Sequence, residues 1–202
     1  MQRNVGDANL ARSPSRLVVA VTGASGSILA LELLRWLREV TDWELHVVVS
    51  AAALRTARYE LGVGREAFAV HADALHANKD IGAPIASGSF VTLGMVVIPC
   101  SMNTLAAIAH GLGDTLIARA ADVTLKERRR LVLVPRETPL NLIHLRNMTT
   151  VTEAGAVIVP PVPAFYLGEL TPQRLVQQIA MRVASIFGVA PAPWAEWTGG
   201  EG

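Results

Sequence analysis

The 202-residue chain has a single cysteine, Cys100, so a disulfide framework is excluded. One thiol also fits a reduced, cytoplasmic setting. Charged residues are only 17% of the chain and the formal net charge is +1. No one-signed field is left to attract DNA or RNA. No apolar run approaches the roughly 18 residues that a membrane span needs. Residues 1–15 are polar and lack the apolar centre of a signal peptide, which leaves them as a flexible arm. His46, His71, His76, His110 and His144 show no paired ligand spacing, so no metal site is expected. The turn Gly23-Ala24-Ser25-Gly26 is not the Gly-x-Ser-x-Gly nucleophile elbow of hydrolases. Nor is it the dinucleotide Gly-x-Gly-x-x-Gly or a phosphate loop with lysine.

What is abundant is apolar: 51% of residues are hydrophobic and the mean hydropathy is +0.36. That suffices for one core, hence a single domain over residues 16–189, with a Pro/Gly-rich tail at 190–202. Buried subunit interfaces would also account for the hydropathy. Trp194 and Trp197 suggest that the tail packs on this subunit or a neighbour.

Strand-like and helix-like patterns alternate along the chain. Strands are expected at Arg16–Val21, Trp43–Val49, Gly94–Ile98, Leu131–Val134 and Ala156–Val159. Helices are expected at Ile28–Val40, Ala51–Leu61, Leu105–His110, around Asp114–Glu127, Leu140–Thr150 and Thr171–Phe187. Ser50 and Thr171 are natural N-caps, and Pro172 suits a first helical position. Gly62–Ser89 is poorly periodic and reads as short helical pieces and loop. The alternation implies an α/β fold, a three-layer α/β/α sandwich with a mainly parallel sheet of flavodoxin-like or Rossmann-like type.

In such a sheet ligands bind outside the carboxyl ends of the strands. Thr22 to Gly26 follows the first strand, where small residues and a helix N-terminus can approach a phosphate. Ser50 follows the second strand and is as readily a cap as a ligand contact. Ser101, Asn103 and Thr104 follow the third, and Ser87-Gly88-Ser89 either line a pocket or turn the chain. Three strand ends with small hydroxyl residues point to a mononucleotide site. Arg136 and Glu137 close the fourth strand, and Arg119 and Lys126 are expected to bring two further cations to that place, a set suited to a phosphorylated ligand. Taken singly, Tyr166 reads as interface packing and Arg182 as a snorkelling side chain.

In this order the motifs Thr-Gly-Ala-Ser-Gly, Ala-Ser-Gly-Ser, Pro-Cys-Ser-x-x-Thr-Leu, Arg-Ala-Ala-Asp-Val-x-Leu-Lys-Glu-Arg-Arg, Pro-Arg-Glu-Thr-Pro-Leu and Pro-Pro-x-Pro-Ala-Phe-Tyr are specific. From about Arg16 to Val189 the chain resembles the UbiX-like flavin prenyltransferases, in the flavoprotein group that also includes the cysteine decarboxylases. The resemblance implies an enzyme that binds FMN at a subunit interface. It would transfer a dimethylallyl group from dimethylallyl phosphate to N5 and C6 of reduced FMN, without a metal. The prenylated FMN would pass to a UbiD-type decarboxylase, in ubiquinone synthesis or aromatic acid metabolism, and the assembly would be a homododecamer.

The resemblance also implies site residues. Gly23, Ala24, Ser25, Ser50, Ser101, Met102, Asn103, Thr104 and Arg136 fall on flavin-binding positions. Tyr166 and Arg182 fall on positions that hold the prenyl phosphate. Arg119, Lys126 and Glu137 fit the same phosphate pocket, Ser87, Gly88 and Ser89 add substrate contacts, and Glu60 falls on a pocket carboxylate. Some relatives have an aromatic residue at Ile81 and many have Pro at Arg130, so the tail pocket and loop packing are expected to differ; Leu167-Gly168 also departs. The rival readings are a flavin-dependent decarboxylase of peptidyl-cysteine type and a non-catalytic FMN-binding subunit of a decarboxylase complex.

Overall fold

The computed structural model describes residues 15–166, 171–196 and 199. The expected arm up to residue 14, Leu167-Gly168 and Trp197 lie outside these described residues. The chain runs β1 (Arg16–Val21), α1 (Ser27–Val40), β2 (Glu44–Val49), α2 (Ala51–Leu61), α3 (Glu66–Ala69), β3 (Ala74–Ala77), β4 (Gly94–Cys100) and α4 (Met102–Ala109). It continues with α5 (Leu116–Lys126), β5 (Arg130–Pro135), α6 (Leu142–Glu153), β6 (Val157–Ile158) and α7 (Pro172–Ser185).

All six strands form one parallel sheet in the order β3-β2-β1-β4-β5-β6. The order reverses between β1 and β4, and a crevice opens at such a switch point. β1 is buried on both faces because its side chains alternate between two cores. Leu17, Val19 and Val21 pack with Leu33, Leu34 and Leu37 of α1 and with Ala180, Val183 and Ala184 of α7. Val18 and Ala20 pack with Leu105 and Ile108 of α4 and with Leu116, Ile117, Ala120 and Ala121 of α5. Each fully buried Leu or Val stabilises the fold by about 1.5–3 kcal/mol before entropy is counted. The described residues contain no helix long and apolar enough to cross a membrane.

Among the described residues there are six strands, not the five expected. β3 lies inside the stretch read as helical pieces and loop. It is four residues long, Ala-Leu-His-Ala, and half-buried throughout, so it carries no clear alternation. It forms the sheet edge beside β2, with His46 facing Ala74 and Val48 facing His76. The helix starts also sharpen. Ser101 caps α4 by accepting from the Thr104 amide, and Thr115 caps α5 by accepting from Ala118.

Candidate active site

The crevice between β1 and β4 is built by Thr22. Its hydroxyl donates to the Pro99 carbonyl at 2.8 Å and accepts from the Ser101 amide at 2.8 Å. The two strand ends are thereby held in one register, and a pocket of about 560 Å³ opens beside them. Gly23, Ser50, Ser101, Asn103 and Thr104 line it, as expected from the sequence. Gly23 is required there by close approach. A Cβ at this position would stand 2.5 Å from the Cβ of Ala52, at the start of α2. Ala24 is buried and Ser25 half-buried in the same turn, while Met102 is half-buried at the start of α4.

Thr22 of the expected turn lines the pocket too, and so do Asn78 and Thr115, which the sequence did not mark as ligand residues. Asn78 follows the overlooked β3. Its side-chain and backbone oxygens accept from the amides of Ile117 at 3.1 Å and Leu116 at 2.8 Å, which fixes the start of α5 as the pocket's far wall. An Asn just beyond β3 is the signal that a correct strand assignment would have exposed.

Glu60 does something the sequence did not suggest. From the end of α2 its carboxylate accepts from the Gly26 amide at 3.0 and 3.1 Å and from the Ser27 amide at 3.0 Å. Gly26 adopts φ 107, which turns these amides toward Glu60 and supplies a cap that its own missing side chain cannot. The positive end of α1, expected to face a phosphate, is therefore occupied by an internal anion. Desolvation pushes the Glu60 carboxyl up, but hydrogen bonds from the Ser25 hydroxyl and the Ser27 and Gly26 amides outweigh it and hold it below the usual carboxylate range.

The charged candidates do not gather within one chain. Arg136 and Glu137 are exposed beyond β5, at the C-terminal edge of the sheet. Lys126 ends α5, just ahead of the first residue of β5. The six-residue strand between these points spans roughly 20 Å. The expectation that Lys126 joins Arg136 and Glu137 is thus not met inside a single chain, because α5 runs antiparallel to the strands. Arg119 lies two turns before Lys126 on α5, paired with Asp122 at 2.9 Å. Lys126 meets the Ser87-Gly88-Ser89 loop instead. A Cβ on Gly88 would lie 2.8 Å from the Lys126 Nζ. The Lys126 ammonium pairs with Glu127 and, by hydrogen bond and charge, holds that exposed carboxyl low.

Tyr166 and Arg182 line a separate pocket of about 390 Å³ with Pro160, Met181, Ser185 and Glu196. Arg182 donates to the Ser185 hydroxyl at 3.2 Å. The Pro-rich loop that carries Tyr166 is fixed by Gln178, which accepts from the Ala164 amide at 2.7 Å and donates to the Ala164 carbonyl at 2.9 Å. Trp194 of the tail packs on this same subunit, with the Arg174 guanidinium 4.2 Å from its ring. Ile81 is exposed, and Arg130 donates to the Ile186 carbonyl, so this arginine ties β5 to the end of α7. Cys100 is fully buried, and desolvation pushes its thiol up to about 12, which leaves no thiolate for chemistry.

A switch-point pocket of small residues, hydroxyls and side-chain amides defines a mononucleotide-binding α/β protein. The chain matches the Flavoprotein family over residues 7–184. It is 50% identical over 187 residues to the flavin prenyltransferase UbiX of Neisseria meningitidis, covering 91% of this chain and 97% of that one. The crystal structure of AnUbiX (PadA1) in complex with FMN and dimethylallyl pyrophosphate superposes with a TM-score of 0.90 at 49% identity, over 94% of this chain and 100% of that one. A dodecameric FMN-dependent UbiX-like decarboxylase from Escherichia coli O157:H7 gives 0.87 at 47% identity, over 91% and 100%. The chain belongs to this flavoprotein family and, within it, to the UbiX-like flavin prenyltransferases.

Proposed function

We propose that the chain transfers the dimethylallyl group of dimethylallyl phosphate to N5 and C6 of reduced FMN, giving prenylated FMN for a UbiD-type decarboxylase. The observation that carries this reading is the β1–β4 pocket, whose donors and small residues fit a flavin mononucleotide. Gly23 leaves a surface that any side chain would fill, and Ser50, Ser101, Asn103 and Thr104 offer neutral hydrogen bonds along it. Ala24, Ser25 and Met102 extend the same wall, and Arg136 supplies a cation at the strand edge. When bound, reduced FMN supplies the nucleophilic atoms that accept the prenyl group.

The remaining work falls to this chain's own side chains. Ionising an allylic phosphate builds negative charge on the leaving group, and Lys126, Arg119 and Arg182 stabilise it. Each preorganised donor of this kind contributes about 3–4 kcal/mol in known cases. Tyr166 donates a hydrogen bond to the phosphate and helps keep out water that would capture the allyl cation. Glu137 relays a proton beside these cations. Glu60 acts by holding the Gly23–Ser27 turn in shape.

The set works as one only if copies of the chain complete each other's site, since Lys126 with Gly88, Arg136 with Glu137, and Tyr166 with Arg182 stand at separate places in one copy. We therefore propose a homo-oligomer, a dodecamer as in the Escherichia coli relative. Leu140, Leu142, Ile143 and Leu145 are 42–66% exposed around the start of α6 and offer apolar area for subunit contact. Residues 16–189 are taken as the FMN-binding domain, with a cytoplasmic setting in keeping with the single reduced thiol.

The test is anaerobic incubation with reduced FMN and dimethylallyl phosphate, read by mass spectrometry. A flavin heavier by one five-carbon prenyl unit is expected. An unchanged flavin from folded, FMN-loaded protein refutes the reading.

A further inference from the structure

We propose that Arg129 is the positioning residue of the prenyl-phosphate half of the site, through its grip on the Ser87–Phe90 loop. This rests on the reading above, in which Gly88 and Lys126 meet the substrate phosphate. Arg129 closes the motif that begins at Arg119, but no role is assigned to it there.

The geometry begins at the end of α5. The Arg129 amide donates to the Thr124 carbonyl at 2.9 Å and the Arg128 amide to the Leu125 carbonyl at 3.0 Å. This is a Schellman turn, and its left-handed position, where glycine is usual, is held by Arg128 at φ 56. The turn reverses the chain so that the next side chain, Arg129, reaches back over the Ser87–Phe90 loop. One guanidinium nitrogen donates to the Phe90 carbonyl at 2.8 Å and the other to the Gly88 carbonyl at 2.6 Å. Only the planar fork of arginine meets two carbonyls at once; a lysine ammonium on its flexible stem replaces one contact well and the other poorly.

The loop's own bonds are short-range: the Ser87 amide donates to the Pro84 carbonyl at 3.0 Å and the Phe90 amide to the Ser87 carbonyl at 3.2 Å, so none of them ties it to α5. The Ser87 and Ser89 hydroxyls bond to each other at 2.9 Å. On the far side the Phe90 ring is held by the Arg16 guanidinium at 4.5 Å and by the edge of His46 at 4.9 Å. Gly88 faces the end of α5, where a Cβ would meet the side-chain ends of Glu127 and Lys126, the latter at 2.8 Å from its Nζ. Arg129 therefore sets the distance between the loop's backbone and the Lys126 ammonium. Releasing the clamp lets the loop populate other positions, and the apparent affinity for the ligand drops by the fraction of time the right one is lost. The flavin pocket borrows nothing from this loop within the chain, so flavin capture is spared.

The experiment uses the full-length FMN-loaded protein, with dimethylallyl phosphate as the varied substrate. Arg129→Gln is expected to raise KM for dimethylallyl phosphate at least about tenfold, with kcat at saturation and the FMN dissociation constant within about twofold of wild type. Arg129→Lys should fall between the two. Hydrogen exchange at the Gly88, Ser89 and Phe90 amides should quicken in Arg129→Gln. Should that variant fail to fold, Arg129→Lys must by itself show a raised KM with the FMN dissociation constant unchanged. An unchanged KM in a folded Arg129→Gln, or in Arg129→Lys where the glutamine variant does not fold, overturns the proposal, as does equal loss of FMN binding. Wild-type protein that makes no prenylated flavin overturns the functional reading itself, whereas active wild type with an indifferent Arg129 overturns this inference alone.

Discussion

Thr22 and Ser101 are joined across the reversal of the sheet: the hydroxyl of one accepts the amide of the other at 2.8 Å while donating to Pro99. Thr22 is 1% exposed, so water cannot replace either bond. Thr22→Val keeps the shape and leaves the Ser101 amide without its acceptor, at a cost of about 1–3 kcal/mol. Thermal unfolding should show a midpoint lower by roughly 2–12 °C, at about 2–4 °C per kcal/mol for a chain of this size. FMN affinity should fall alongside, because Ser101 is part of the pocket wall.

Gly23→Ala should force α2 away from the first turn. The new Cβ meets the Cβ of Ala52, which cannot rotate aside. Overpacking of this kind costs about 1–3 kcal/mol. Adding Ala52→Gly restores the space, so the double variant should recover FMN binding measured by flavin fluorescence. No recovery would mean that the clash is not what Gly23 avoids.

Glu60 couples stability to acid. Its folded pKa is depressed below the ordinary 4.5, so its contribution is fully present above about 4.5 and is lost as pH falls through the folded value. Urea denaturation should show Glu60→Gln less stable than wild type at pH 7, with the gap narrowing as the pH falls below about 4.5. A gap that widens in acid would reverse this assignment.

His46 and His76 act in the opposite pH range. Their Nδ1 and Nε2 atoms are 3.1 Å apart, with Arg16, Glu44, Asp73 and Asp80 around them. Desolvation lowers both pKa values, and the neighbouring imidazole lowers that of His76 further. The unfolded chain therefore binds more protons than the folded one below about pH 6.5, and the free energy of unfolding should fall from pH 7 to pH 5. The double variant His46→Gln/His76→Gln should flatten that slope, read as urea midpoints at several pH values.

Lys126→Ala and Arg182→Ala should each reduce prenyl transfer by about 10²–10³-fold, the scale of losing one preorganised donor. FMN retention should be unchanged, since neither residue lines the β1–β4 pocket. Parallel loss of flavin and turnover would show that the two arginine and lysine positions support folding instead.

The elements with strong periodicity and clear punctuation were legible from the residues. β1 has the expected bounds, and α7 starts where Thr171 and Pro172 indicate. β3 was not, because four residues at a sheet edge carry too little pattern. In the site, the strand-end positions of Gly23, Ser50, Ser101, Asn103 and Thr104 followed from the βα alternation alone. Glu60 was hidden by distance: it caps a helix 33 residues earlier in the chain, and no local pattern announces such a pairing. The direction of α5 decided the rest. Lys126 sits close in sequence to Arg136 but at the other end of a strand, which spacing along the chain does not reveal.

Cys100 offers a practical handle on the whole molecule. Its sulfur lies in the central sheet with no exposed surface, and its thiol is held far from ionisation. Alkylating reagents should thus reach it only when the native state opens globally, so the labelling rate under native conditions becomes an intrinsic clock for unfolding. Because no second thiol competes, mass shift alone would time how long each variant stays closed, with or without flavin.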